Sequence, residues 1–196
     1  MMKSSKRKKS FITEIAAVMM TLTILGAGPT RAGAPTLLDS ASSKVYEIKA
    51  AFIYNFAQFT QWPDSAFASS DSPFVLAFIG DSPLGPALER VLDGKAIAGH
   101  PIVLKHLDSV NQISGCHLLF VPESEDGDLD DIFNAVGNQP ILTVGETTKF
   151  MWAGGIIRFF IADGRIRFEV DPDAADKAGL RLSSRLMHLA TIFKKR

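Results

Sequence analysis

Beyond residue 42 the apolar positions of the chain follow two rhythms, first that of a helix and then a series of short, strand-length runs. From Ser43 to Gln61, Val45, Ile48, Phe52, Phe56 and Phe59 recur at three and four residues, the spacing of one buried helix face. Ala51, Ile53, Tyr54 and Ala57 widen that stripe, so the helix calls for cover by a sheet or by a partner. Trp62-Pro63 closes it, because a residue that precedes proline avoids helical dihedrals.

After a Pro/Ser/Asp linker from Pro63 to Pro73, the pattern predicts a buried strand over Phe74–Ile79 and a helix over Pro83–Leu92. An alternating strand over Ile102–Leu107 and a buried strand over Cys116–Val121 follow. A helix over Leu129–Val136 and a short strand over Ile141–Val144 complete this part of the pattern. Gly154-Gly155 interrupts the chain before Ile156–Ile161, which the turn Ala162-Asp163-Gly164 joins to Arg165–Val170; Asp-Gly between alternating runs signals a hairpin. The last predicted element is a helix over Pro172–Phe193, with Pro172 in its first turn and Gly179 a point where it can divide. Strands alternating with helices predict an α/β fold: a central, mostly parallel sheet of about six strands flanked by helices, ending in an antiparallel hairpin and a C-terminal helix.

The beginning of the chain has a different character. Lys3, Lys6, Arg7, Lys8 and Lys9 precede an apolar stretch from Phe11 to Ala27, and Thr30 and Ala32 supply small residues at the spacing of a cleavage site. This is the layout of a secretory signal over residues 1–32, and it predicts a periplasmic product. The competing reading is a membrane anchor, but Ile15–Ala27 is shorter than a span of roughly 18–20 residues and Thr21 and Thr23 interrupt it. Residues 33–42 then form a flexible lead-in rich in Ala, Gly, Pro and Ser, and 43–196 a single domain.

Removal of the signal changes the charge balance. Residues 1–32 hold six of the 21 basic side chains and one of the 21 acidic ones, leaving 15 against 20 and a net charge of −5. An acidic chain without a basic stripe argues against a nucleic-acid partner. The lone Cys116 cannot form an internal disulfide, and it opens an apolar run, as a buried and unreactive thiol does.

Catalytic signals are sparse. Gly80-Asp81-Ser82 follows a strand, where GDS-type esterases place a nucleophilic serine, but the late Asp-x-x-His and the central Gly-x-Asn-Asp that would complete the machinery are missing. Pro83 also removes an amide from the position of an oxyanion hole. The segment reads as a strand-to-helix turn, and Gly80, Asp81 and Gly85 form at most a weak anion- or ligand-binding turn. His100 and His106 lie about 20 Å apart on an extended strand, too far for one metal ion. Asp126, Asp128, Asp130 and Asp131 favour a helix N-terminus over calcium, because the EF-hand spacing is missing. Neither a cofactor nor a metal is expected. In the hairpin, Arg165, Arg167 and Glu169 share one face with Arg158 opposite, while Ile166, Phe168 and Val170 share the other. A charged face of this kind is either solvated or a docking surface.

Read in order, Lys49-Ala50-Ala51-Phe52-Ile53-Tyr54-Asn55-Phe56, Phe59, Trp62-Pro63, Gly80-Asp81 with Pro83-Leu84-Gly85, Cys116-His117, Gly154-Gly155, Arg167-Phe168-Glu169, Ala178-Gly179-Leu180 and Leu182-Ser183-Ser184 resemble the YfiR family of periplasmic proteins. The resemblance implies a central sheet flanked by helices, often dimeric, and a regulator without catalytic activity. Such a regulator binds the periplasmic part of an inner-membrane diguanylate cyclase and inhibits it, lowering cyclic di-GMP and biofilm formation; an outer-membrane lipoprotein can relieve the inhibition. The expected partner surface is the hairpin and the C-terminal segment, with Glu169, Arg181 and Ser183 as its partner-binding residues and Phe168 as an apolar contributor. Some relatives carry paired cysteines that make repression redox-dependent; with Cys116 alone, this chain departs from them. The alternative readings are a periplasmic small-ligand sensor and, behind it, the esterase.

Overall fold

The computed structural model describes residues 37–195. In chain order the elements are α1 (Leu37–Gln58), β1 (Thr60–Gln61), β2 (Phe74–Ile79), α2 (Leu84–Leu92), β3 (Ala96–Ile97), β4 (His100–Leu107), β5 (Leu118–Val121) and α3 (Leu129–Val136). Then come β6 (Leu142–Gly145), α4 (Thr148–Ala153), β7 (Ile157–Ala162), β8 (Arg165–Val170), α5 (Pro172–Lys177), β9 (Arg181–Leu182), α6 (Ser184–Leu189) and β10 (Thr191–Ile192).

Eight strands form one sheet in the order β10-β8-β7-β6-β5-β2-β4-β3, and β1 pairs with β9 in a separate two-stranded ribbon. The five central strands, β4, β2, β5, β6 and β7, run parallel, whereas the β7–β8 hairpin and the short β3–β4 pair are antiparallel. The α/β fold and its closing hairpin are thus as the pattern predicts. Two strands beyond the expected six are the dipeptides β3 and β10, too short to show a period.

The inner parallel strands β2 and β5 are covered on both faces, which is why they read as continuous apolar runs, whereas β4, near the edge, alternates. Phe74, Leu76, Leu118 and Phe120 face a core shared with α1 and α2, while Val75, Ala77, Ile79, Leu119 and Val121 face one shared with α3 and α4. It is the sheet that covers α1: Phe52 and Phe56 pack on Phe159 of β7 and Phe168 of β8 with ring centroids 4.8–6.1 Å apart.

Three expectations need correction. First, α1 begins at Leu37, before the expected Ser43, and stops at Gln58, because Thr60–Gln61 become extended to pair with β9. Second, the single helix expected over Pro172–Phe193 is four elements. Gly179 (φ 70°) turns the chain out of α5, Leu180 enters the core, Arg181–Leu182 pair with β1, and the Ser183 hydroxyl caps α6 by accepting the Leu186 amide (3.2 Å). The chain therefore ends in a strand after its last helix. Third, the unforeseen α4 is six residues long, too short for a hydrophobic period, and is started by Thr147, whose hydroxyl accepts the Phe150 amide at 3.1 Å.

The proposed signal over 1–32 lies outside the described residues. Among those described, no helix is long and apolar enough to cross a membrane.

Candidate functional site

The segments that carry the resemblance lie far apart in sequence, and the fold joins several of them. Thr60 and Gln61 pair with Leu182 and Arg181, and the Ser183 amide donates to the Phe59 carbonyl at 2.9 Å. The Arg185 guanidinium lies over the Phe59 ring, 5.5 Å from its centroid. The end of α1 and the 178–185 segment therefore form one continuous surface, on which the Arg181 side chain is exposed.

The four expected partner-binding residues occupy two places around α1. On β8, Phe168 is in the core against Phe52 and Phe56, and Glu169 is only 8% exposed. The register sets Glu169 opposite Arg158, whose Nε donates to Oε1 at 2.7 Å; the same guanidinium donates to the Thr148 hydroxyl at 3.1 Å and ties the hairpin to α4. On the ribbon, Arg181 is free in solvent, and Ser183 is engaged through both its amide and its hydroxyl. The charged face of the hairpin is thus solvated at its turn, where Arg165 and Arg167 are exposed, and closed at its base.

A second polar centre joins α1 to the C-terminal ends of the parallel strands. Lys49 reaches Glu146, just past β6, at 2.5 Å, with both side chains largely buried, and Glu146 Oε2 accepts the Glu123 amide after β5 at 3.3 Å. This pair adds a polar tie to the apolar packing that already holds α1 on the sheet.

Trp62 and His117 also come together. The Trp62 indole donates to the His117 carbonyl (3.2 Å) and meets Phe74 edge-on at 4.9 Å. The His117 ring accepts the Val75 amide at Nδ1 (3.0 Å), so its proton is on Nε2, which donates to the Ala66 carbonyl (3.0 Å). Phe67 is stacked between His100 and His117, with centroids at 4.0 and 4.5 Å. Burial holds the His117 pKa below its ordinary value, against the pull of the Ala66 carbonyl, and nearby His100 lowers it further. Nothing in the sequence marked His117 as a structural anchor; the closest signal was its place at the head of a buried strand.

Gly80 and Asp81 lie in a tight turn, and Gly85 in the first turn of α2 that follows it. Gly80 (φ 68°) sits under the Glu125 carboxylate and its carbonyl contacts His106 Nε2 at 3.0 Å, while Gly85 lies against the Phe78 ring. The Ser82 hydroxyl accepts the Leu84 amide (3.2 Å) and its carbonyl the Gly85 amide (3.2 Å), so two amides that an anion would use are taken within the turn. Burial raises the Cys116 pKa against the lowering effect of Lys105. No cluster of three or more metal-ligating side chains occurs among the described residues.

A family model described as YfiR/HmsC-like matches residues 46–191, most of the chain. The chain belongs to this family. The YfiR/HmsC-like match runs from within α1 to the first residue of β10, so it takes in both segments of the β1–β9 ribbon together with the hairpin. Comparison with curated proteins gives no match.

Proposed function

We propose that this YfiR/HmsC-like protein is a periplasmic, non-catalytic regulator that binds the periplasmic part of an inner-membrane diguanylate cyclase and inhibits it, lowering cyclic di-GMP and biofilm formation. Family membership supports the reading, and the observation that carries it is the ribbon that joins the end of α1 to the 178–185 segment in one exposed surface. Inhibition then requires tighter binding to the inactive state of the cyclase than to the active one, since only that difference shifts the equilibrium. Arg181 makes the polar contact and Ser183 holds the ribbon beneath it, while Glu169 and Phe168 hold the neighbouring hairpin in place. The engaged Ser82 hydroxyl and the Pro83 that follows support a role without ester hydrolysis. Homodimerisation and sequestration by an outer-membrane lipoprotein belong to the same proposal.

The test is Arg181→Glu. An exposed side chain on a short ribbon can be reversed in charge with the melting temperature unchanged, and the variant is expected to bind the cyclase's periplasmic region about tenfold more weakly, about 1.4 kcal/mol. Wild-type affinity in that variant moves the interface away from the ribbon.

A further inference from the structure

The outer edge of β8 is only partly used. Ala162 and Arg165 flank the two-residue Asp163-Gly164 turn, so this pair exchanges both backbone hydrogen bonds, and so do alternate pairs along the hairpin. Arg165, Arg167 and Glu169 thus turn their amides and carbonyls toward β7; Ile166, Phe168 and Val170 turn theirs away. At the base that outward edge is occupied: β10 registers with Glu169 and Val170, and the Phe193 amide donates to the Val170 carbonyl at 2.8 Å. From Arg165 to Arg167 no strand lies on that side among the described residues; the register of β10 already sets Thr191 beside the Phe168 carbonyl.

Along this open stretch runs a groove of about 380 Å³, its apolar walls formed by Phe52, Ile166, Phe168 and Leu189. Leu189, 71% exposed, stands at its border without a core to enter. Arg165 and Arg167 flank the groove; Arg167 has an exposed contact to Asp163 at 3.6 Å, and Arg165 has no ion-pair partner among the described residues.

These charges decide the occupant. A second copy pairing through the same strand would set arginines opposite arginines, which is unfavourable. Residues 1–36 of the chain itself offer six basic side chains against one acidic one while the proposed signal is attached, and the uncharged side chains of Gly33-Ala34-Pro35-Thr36 after its removal, so neither form brings carboxylates to the arginines. We propose that the open edge of β8 accepts an extended acidic segment of a partner protein. The segment adds as a strand beside Ile166, with its apolar side chains in the Phe52–Phe168 groove and its alternating carboxylates on Arg165 and Arg167. The inference extends the regulatory reading by giving the chemistry of a partner for the same hairpin.

The experiment is calorimetric titration of the purified protein with a capped hexapeptide, Glu-Phe-Glu-Ile-Glu-Leu, and with its counterpart carrying lysine at each glutamate, alongside hydrogen exchange. The glutamate peptide is expected to bind saturably, more weakly as salt rises, and to slow exchange at the Ile166 amide. Ile166→Pro removes that outward donor without touching the bonds to β7 and is expected to weaken binding at least tenfold with an unchanged melting temperature. Arg165→Glu combined with Arg167→Glu transfers the preference to the lysine peptide, and this arm stands even if the proline variant does not fold. Failure of the wild-type protein to bind saturably, equal binding of the two peptides, or indifference to the arginine reversal overturns the proposal. No cyclase is present in the titration, so the two readings fail separately: a protein that inhibits a cyclase but ignores the peptide loses only this docking mode.

Discussion

At Glu169 strand alternation alone points to a solvated charge, but the register places Arg158 directly opposite and the pair is largely enclosed. Removing one member of a buried pair leaves the other uncompensated, whereas replacing both with apolar groups can be neutral. Glu169→Gln is therefore expected to lower unfolding free energy by about 3 kcal/mol in denaturant titrations, and Arg158→Met with Glu169→Leu to recover most of that loss. By the same reasoning, Glu169→Lys would weaken a partner complex through the fold as much as through the interface, so Arg181→Glu is the cleaner test of docking.

His117 sets the pH response at this scale. The folded ring needs Nδ1 unprotonated to accept the Val75 amide, and burial keeps its pKa down. In the unfolded chain the ring takes up a proton near its ordinary value of 6.5. Between the two values the unfolded state binds more protons, so this contribution is complete above the ordinary value and is lost as pH falls below it. Denaturation midpoints are expected to be lower at pH 5 than at pH 7.5, with a smaller difference in His117→Gln; equal slopes in the two proteins would remove His117 from the explanation.

Among the elements, β2, β5 and the hairpin were legible because each has a signal of its own: an uninterrupted apolar run for the first two, Asp-Gly between alternating runs for the third. The short elements were not legible, because their causes lie elsewhere in the chain. Leu182 is extended because Thr60 is there to pair with it, and α4 exists because Phe150 has a place to go. That place is made by two glycines: a methyl group on Gly145 would come within 2.5 Å of the Phe150 ring, and one on Gly155 within 2.1 Å. Gly154-Gly155, read from sequence as a break in the chain, is thus also a packing requirement. Gly155→Ala is expected to cost about 2 kcal/mol, the scale of an overpacked core, and to be partly rescued by Phe150→Leu, as thermal melts of the two variants would show. Of the four residues expected at a partner surface, only Arg181 has an exposed side chain with no structural duty of its own; that Phe168, Glu169 and Ser183 have such duties depends on register and capping, which no local pattern displays.

For the whole molecule, the β1–β9 ribbon ties together residues 120 positions apart, Gln61 and Arg181, so the end of α1 receives its pairing partner from a segment made long after it. A chain emerging N-terminus first, from a ribosome or through a membrane pore, therefore cannot complete this closure until residue 182 has followed. The eight-stranded sheet does not include this ribbon, so the closure can follow the sheet as a separate, late step.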